Sequence, residues 1–220
     1  MTFFNEPVAV HRRMTRSLYR LGGKRLFDIL FVIVIAPIVV PLVILFALIV
    51  RRDSGPAFFS QTRVGKGGVP FTCYKLRTMV VDAEHVLAAH CAGDPLVRAQ
   101  WEAYQKLTDD PRITCFGRIL RATSLDELPQ FWNVLRGDMS LIGPRPFTVD
   151  QEPLYSNSRA SAYYRLRPGI SGAWQVSSRN SVTFAERLAF DEEYDATLSV
   201  SEDLKVLLKT VAVVLRHQGQ

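Results

Sequence analysis

The sequence predicts a mainly α-helical protein with one short β-hairpin, an α+β chain that associates with a membrane near its N-terminus. Three observations predict this class: an uncharged apolar run at 29–50, two short alternating segments at 57–62 and 69–76, and helical periodicity through most of the remainder. The chain has 220 residues, enough to bury a substantial core. A hydrophobic content of 48% with 22% charged residues excludes a disordered or fibrous chain.

Positive charge is concentrated at the N-terminus. The formal net charge is +6, and residues 1–25 hold six Lys and Arg side chains against a single Glu. The rest of the chain is therefore nearly neutral, which argues against a general nucleic-acid binder. We define residues 1–23 as a basic arm, whose charge can rest on an anionic membrane surface.

The apolar run is long enough for a membrane segment, which needs about 20 apolar residues. It is too long for a signal peptide, and no small-residue cleavage site follows it. Pro37 and Pro41 lie in its middle, and each lacks a backbone donor and clashes with the preceding turn. They predict a sharp break between two shorter helical arms.

Basic residues flank both ends of this run. Lys24 and Arg25 precede it, and Arg51 and Arg52 follow it. Because loops rich in Lys and Arg stay in the cytoplasm, both ends are expected on the same side of the membrane. The flanks therefore favour a re-entrant hairpin at 24–52 over a kinked spanning helix.

Residues 53–220 are expected to form a cytoplasmic catalytic domain. Its two strands are joined by a Gly-rich turn at 65–68, and two Gly/Pro-rich loops are expected at 141–146 and 167–172. Helices are predicted at 82–106, 113–121, 124–136, 183–196 and 202–216. The last helix fits either an interfacial amphipathic helix or a core helix with a solvated stripe.

Cysteine and histidine residues do not indicate a metal site. The chain has an odd number of cysteines, and none of them forms a CxxC pair: Cys73, Cys91 and Cys115. The four histidines are scattered along the sequence. This pattern predicts neither a disulfide framework nor a zinc site. A metal held by carboxylates remains open.

The run Ser124-Leu125-Asp126-Glu127 is the centre of the candidate chemistry. Its S-x-x-E pattern predicts a capping box, a purely structural role that is compatible with phosphate binding at the same helix end. All nine basic residues between 112 and 179 are arginines, whose planar forks match phosphate oxygens. Carboxylates beside a polyphosphate site suggest Mg²⁺.

Other enzyme classes lack their motifs. The sequence GKGG at 65–68 has neither the spacing nor the Ser/Thr of a P-loop, and GISG at 169–172 lacks the GxSxG spacing. No GxGxxG follows a predicted strand. The sequence therefore gives little support to a P-loop kinase, a serine hydrolase or a Rossmann dehydrogenase.

Several motifs in a fixed order resemble one enzyme family. They are KRLFD (24–28), GPAFFSQTRVG (55–65), FTCYKLRTM (71–79), DDPRIT (109–114), GRILRATSLDELPQFWNVLRGDMSLIGPRP (117–146) and LRPGISGAWQVSSRN (166–180). Together they resemble the bacterial sugar transferases, the small monotopic polyprenyl-phosphate phosphoglycosyl transferases, from about Lys24 to the C-terminus. Within that family the chain is most similar to members that start succinoglycan-type exopolysaccharide with galactose-1-phosphate. One departure is GAWQ at 172–175, where many members have GWAQ.

The resemblance implies a reaction. A sugar-1-phosphate passes from a UDP-sugar, with galactose or glucose favoured, to undecaprenyl phosphate, and UMP is released. Asp126 matches the nucleophile that forms a covalent phosphosugar intermediate, and Glu127 assists it through metal or proton handling. Both match the family's Mg²⁺ site, so Mg²⁺ is the expected cofactor. The residues alone do not separate galactose from glucose or an N-acetylated sugar.

The resemblance also implies further site residues and a location. The expected phosphate-binding residues are Lys75, Arg77, Arg121, Arg145, Arg167, Gln175 and Arg179. The family's membrane segment breaks near Pro37, with Pro41 one turn later, and dips into the bacterial inner membrane from the cytoplasm among phospholipids. No nucleic acid is expected as a partner, and a homodimer stays open. Two alternatives are a lipid-binding scaffold and a lipid-phosphate hydrolase that uses the same carboxylates.

Overall fold

The predicted membrane segment forms a single helix. The computed structural model describes residues 18–104, 107–155, 161–177 and 187–215, so most of the basic arm lies outside them. A π-helical turn, Tyr19–Gly23, leads into α1, Lys24–Val50, which contains both prolines. The helical backbone continues through both prolines, each of which removes only one backbone donor. A sharp bend between two helical arms at these prolines stays a prediction. The re-entrant topology stays a prediction.

Both ends of α1 pack against the rest of the protein. Val32 is buried in the main hydrophobic cluster, and Val50 packs with Leu76 and Leu120 in a second one. The separation of 18 positions from Val32 to Val50 corresponds to roughly 27 Å of helix. Apolar side chains along this stretch are exposed, among them Ile33, Val34, Ile38, Val40, Ile44, Leu45 and Leu48. α1 therefore presents a wide apolar surface while both of its ends stay on one domain.

The predicted β-hairpin is confirmed. Strands β1, Phe58–Val64, and β2, Pro70–Leu76, pair in antiparallel register. A 3₁₀ turn, Lys66–Gly68, joins them, and both of its glycines have positive φ, 69° at Gly67 and 78° at Gly68. Glycine adopts this left-handed region without a steric cost, which explains the Gly-rich turn.

The helix predicted at 82–106 is two helices, α2, Ala83–Gly93, and α3, Pro95–Tyr104. Asp94 between them is extended, at φ −140° and ψ 113°, because the residue before a proline avoids the helical region. Helix α4, Cys115–Ala122, begins at Thr114, whose hydroxyl accepts the Gly117 N–H at 2.9 Å. Helix α5, Gln130–Arg136, follows Pro129.

The two Gly/Pro-rich loops contain strands that the sequence did not predict. Strand β3, Ser140–Ile142, pairs in parallel with β4, Gly169–Ser171. The pair depends on very close backbones, since a Cβ added to Gly143 would lie 2.3 Å from the Arg167 carbonyl oxygen. β3 belongs to the main hydrophobic cluster, together with side chains from α1, β2 and α5.

The C-terminal half is helical. It contains α6, Glu152–Tyr155, α7, Ala162–Arg165, α8, Ala173–Val176, α9, Arg187–Thr197, and α10, Val200–Leu215. The burial pattern of α10 is compatible with both sequence interpretations of the last helix, and its interfacial role stays a prediction. Asp203 and Val206 are buried in the protein, whereas Leu204, Leu208 and Val211 form an exposed apolar stripe.

Candidate active site

Asp126 and Glu127 lie on a 3₁₀ turn, Leu125–Glu127, between α4 and α5. Ser124 precedes them in the left-handed region, at φ 57° and ψ 18°, and its side chain makes no capping hydrogen bond. The predicted capping box is therefore wrong, because the chain turns sharply at Ser124 and α5 begins only after Pro129. A non-glycine residue in this conformation stores strain, which is typical of functional sites. The turn leaves the Asp126 residue only 7% exposed.

Two cations contact this carboxylate dyad. Lys75, near the end of β2, donates from Nζ to Glu127 Oε1 at 2.7 Å and lies 3.6 Å from Asp126 Oδ2. Arg145, in the loop after β3, places Nη2 at 3.6 Å from the same Glu127 oxygen. The hairpin and the β3 loop thus meet at the dyad from different parts of the chain.

The pKa of Asp126 is raised above its ordinary value. Burial is the main cause, and the neighbouring charge of Glu127 adds to it. Lys75 and Arg121 act in the opposite direction and partly offset the rise in this pKa. Asp126 is thus a buried carboxylate in a cationic environment. Such a group is poorly solvated and close to charges that can stabilise a developing anion.

Arg121, on the last turn of α4, is held by Thr78. Its Nε donates to Thr78 Oγ1 at 2.8 Å, and burial lowers the pKa of the guanidinium. The charge of Asp126 is the largest influence that opposes this lowering. Arg121 is therefore fixed by Thr78, and its charge acts on Asp126, whereas Arg145 contacts Glu127.

Arg63 is a fourth cation that the sequence analysis did not select. It donates from Nη1 to the Pro146 carbonyl oxygen at 3.3 Å, and Glu127 and Arg145 both influence its pKa, which burial lowers. The predicted first strand ended at residue 62, so Arg63 fell outside it. The observed register pairs Phe59 with Lys75 and Arg63 with Phe71. With the period-two alternation of strands, this register places Arg63 and Lys75 on the same face of the hairpin.

Arg77 is not brought to the dyad. Its guanidinium donates to the carboxylate of Asp53 and to the carbonyl oxygens of Val50, Pro56 and Met79. These acceptors take all of the N–H donors of the guanidinium group. Arg77 therefore ties the end of α1 to the hairpin.

Replacing Arg77 with Met should lower the free energy of unfolding by about 2–3 kcal/mol, because buried carbonyl groups lose their donor. Chemical unfolding of the full chain in detergent measures this effect. The matched control is Arg118→Met, which changes an exposed arginine on α4. An effect within about 0.5 kcal/mol of that control would contradict the structural role.

The remaining predicted phosphate ligands lie elsewhere or outside the described residues. Arg167 donates from Nε to the Gly137 carbonyl oxygen at 2.8 Å, just beyond the C-terminal end of α5. Gln175 is buried on α8 and donates to the Ile170 carbonyl oxygen at 3.0 Å. Arg179 lies outside the described residues. Their roles toward phosphate stay predictions.

The dyad suits a magnesium ion that is shared with a substrate. Within the described ranges, no group of three or more His, Cys, Asp and Glu side chains is arranged to hold a metal. Asp126 and Glu127 supply two adjacent carboxylates, both in contact with Lys75. Mg²⁺ in phosphoryl-transfer sites typically takes one or two carboxylates and completes its shell with water and phosphate. The donor set therefore fits Mg²⁺ together with a bound phosphate.

Known proteins are similar in sequence to this chain. The family model described as bacterial sugar transferase matches residues 19–217. The chain is 47% identical over 196 residues to the undecaprenyl-phosphate galactose phosphotransferase of Salmonella typhimurium, a match that covers 89% of this chain and 41% of that protein. It is 41% identical over 208 residues to the exopolysaccharide production protein ExoY of Sinorhizobium fredii, with 93% and 92% covered.

A third relative carries a different sugar in its name. The UDP-glucose:undecaprenyl-phosphate glucose-1-phosphate transferase of Caulobacter vibrioides is 42% identical over 200 residues, with 87% of this chain and 69% of that protein covered. The chain thus spans less than half of the Salmonella relative and nearly all of ExoY. The family match covers most of the 220 residues. The protein belongs to the bacterial sugar transferase family.

Proposed function

We propose that this protein transfers a sugar-1-phosphate from a UDP-sugar to undecaprenyl phosphate and releases UMP, as the first membrane step of exopolysaccharide synthesis. The observation that carries the proposal is the buried Asp126, beside Glu127, within reach of Lys75 and close to the charge of Arg121. The names of the relatives support undecaprenyl phosphate as the acceptor and galactose or glucose as the sugar.

Asp126 acts as the nucleophile in the first half-reaction. One carboxylate oxygen forms a bond to the β-phosphorus of the UDP-sugar. The bond from that phosphorus to the bridging oxygen breaks, and UMP leaves with the oxygen and its electron pair. The product is an acyl phosphate, a mixed anhydride between the Asp126 carboxylate and the sugar-1-phosphate.

Undecaprenyl phosphate accepts the group in the second half-reaction. An oxygen of the lipid phosphate attacks the same phosphorus, the bond to the Asp126 oxygen breaks, and the carboxylate is regenerated. The product is a lipid-linked diphosphate sugar. No net proton transfer to Asp126 is needed in this cycle.

The surrounding cations stabilise the charge on the transferring group. Lys75 and Arg145 already contact Glu127, and the charge of Arg121 acts on Asp126. Positively charged groups placed in advance stabilise a transition state without the cost of reorganising solvent. Mg²⁺ held by Asp126 and Glu127 would supply additional neutralisation of the phosphate oxygens.

The apolar surface of α1 accounts for access to a lipid acceptor. Among the described residues, one helical stretch, Tyr19–Asp53, is long and apolar enough to cross a membrane. Both ends of α1 contact the same domain, which supports a helix that enters one leaflet rather than a span. We propose that α1 and the stripe on α10 hold the domain on the cytoplasmic face of the inner membrane, where a soluble donor and a lipid acceptor can meet.

The test is UMP release by the full chain with undecaprenyl phosphate and a panel of UDP-sugars. We expect UMP release and a lipid-linked product with UDP-galactose or UDP-glucose. Chelation by EDTA should abolish both products, and excess Mg²⁺ should restore them. Phosphate release without sugar transfer would instead indicate a lipid-phosphate hydrolase. Absence of nucleotide binding would favour a scaffold.

A further inference from the structure

The membrane helix contains a buried carboxylate. Asp28 is in the second turn of α1 and is only 1% exposed. Its Oδ2 accepts the Ser140 hydroxyl at 2.7 Å, and its Oδ1 accepts the Leu141 N–H at 3.2 Å. Both partners lie on β3, more than a hundred residues away along the chain. A buried carboxylate is costly unless it is well paired, and a membrane anchor alone does not require one.

The strand held by Asp28 leads directly to the dyad. After Ile142, the chain passes through Gly143 and Pro144 to Arg145, which lies 3.6 Å from Glu127 Oε1. The Gly143 N–H donates to the Ser171 carbonyl oxygen at 2.9 Å, so the start of this loop is fixed to β4. A displacement of β3 along its axis would therefore move the guanidinium of Arg145.

A second set of contacts joins the same helix to the same strand. The Tyr194 hydroxyl lies 3.2 Å from the Ile142 carbonyl oxygen and also bonds to the Asp203 carboxylate. Asp203, which is fully buried on α10, accepts Lys24 Nζ at 2.7 Å and the Tyr19 hydroxyl at 2.5 Å. The beginning of α1 thus reaches β3 by two routes, one direct and one through α10 and α9.

We propose that Asp28 is a positioning residue that couples the docking of α1 to the placement of Arg145 at the dyad. This inference rests on the proposed function and deepens it. α1 then acts as part of the scaffold of the active site as well as an apolar surface. Because misplacement of a catalytic group by about 1 Å can cost about a hundredfold in rate, a loosened β3 should reduce transfer even with every active-site residue intact.

Two substitutions at Asp28 test the coupling. Asp28→Ala removes both contacts to β3, whereas Asp28→Asn keeps an acceptor for the Leu141 N–H. In the full chain bound to liposomes, we expect Asp28→Ala to lower kcat about a hundredfold while membrane partition stays unchanged. Asp28→Asn should retain most of the activity. Hydrogen exchange of residues 140–147 should rise in the Ala variant and much less in the Asn variant.

Two further variants keep the result interpretable. Glu202→Gln removes a carboxylate from an ion pair with Lys205 on α10 and should match the wild type in both readouts. Should Asp28→Ala fail to fold, Ser140→Ala removes one of the two contacts and should lower kcat about tenfold.

The coupling is overturned by an active Asp28→Ala variant with unchanged exchange at 140–147. It is equally overturned by a folded, fully active Ser140→Ala variant, or by an Asp28→Ala loss of activity that comes only with release from liposomes. Wild-type protein that releases no UMP would instead refute the proposed function. In that case, hydrogen exchange of residues 140–147 still tests the contact between α1 and β3.

Discussion

Asp126→Asn is expected to reduce UMP release by at least about a thousandfold, because the amide cannot form the bond to phosphorus. The variant should remain folded and bound to membranes. Burial raises the pKa of Asp126, so its ionised form carries a free-energy cost in the folded state at pH values above that pKa. Since the neutral amide removes this cost, we expect no decrease in Tm at neutral pH.

Asp150→Asn is the matched control for this change. It makes the same substitution at an exposed position in the 3₁₀ turn Val149–Gln151, and activity should be unaffected. A folded Asp126→Asn variant with activity close to that of the control would rule out Asp126 as the nucleophile.

Lys75→Met is expected to lower kcat/KM by about a hundredfold at neutral pH and to change the pH profile. The ionised Asp126 is the reactive form, so activity should fall as pH drops through its raised pKa. Lys75 partly opposes that rise, and its removal should move the pKa of Asp126 still higher. The acidic limb of the profile should therefore shift to higher pH, with partial recovery of the rate in alkaline buffer.

Lys66→Met is a suitable control because Lys66 is an exposed lysine in the turn of the same hairpin. Its pH profile should overlay that of the wild type. An acidic limb that does not move in Lys75→Met would show that Lys75 has no influence on the group that limits activity.

The parts of the fold that the sequence predicts are those governed by local pattern. The hairpin follows from alternating residues around a Gly-rich turn, and the strand bounds agree within two residues. Pro95 divides the helix predicted at 82–106, because the residue before a proline avoids the helical region. β3 and β4 were missed because strands of three residues carry no periodicity, and their pairing depends on contact between Gly143 and Gly169.

The residues of the candidate site likewise separate into those that a local motif predicts and those whose role only the tertiary fold sets. Asp126 and Glu127 were selected together from the motif, and the structure places them beside Lys75 and Arg145. Arg77, in the same motif as Lys75, has a different role. The sequence could not predict this role, because strand alternation does not reveal which backbone carbonyls lie near a side chain. Its acceptors come from segments before β1 and after β2, which only the tertiary fold brings together.

The arginine-rich composition of 112–179 was a partial guide. Arg121 and Arg145 are close to the dyad, as a phosphate site requires. Arg112 and Arg165 instead form ion pairs with acidic side chains of the protein. A count of arginines cannot separate these uses, because guanidinium groups suit buried ion pairs as well as phosphates.

Intact-protein and peptide mass spectrometry after incubation with a UDP-sugar, without undecaprenyl phosphate, tests the central claim most directly. Our account predicts one sugar-phosphate adduct per chain, located on the peptide that contains Asp126, together with one equivalent of UMP. The adduct should disappear on addition of undecaprenyl phosphate and be absent from Asp126→Asn. Catalytic UMP release with no adduct, or an adduct on a different residue, would contradict the proposed mechanism.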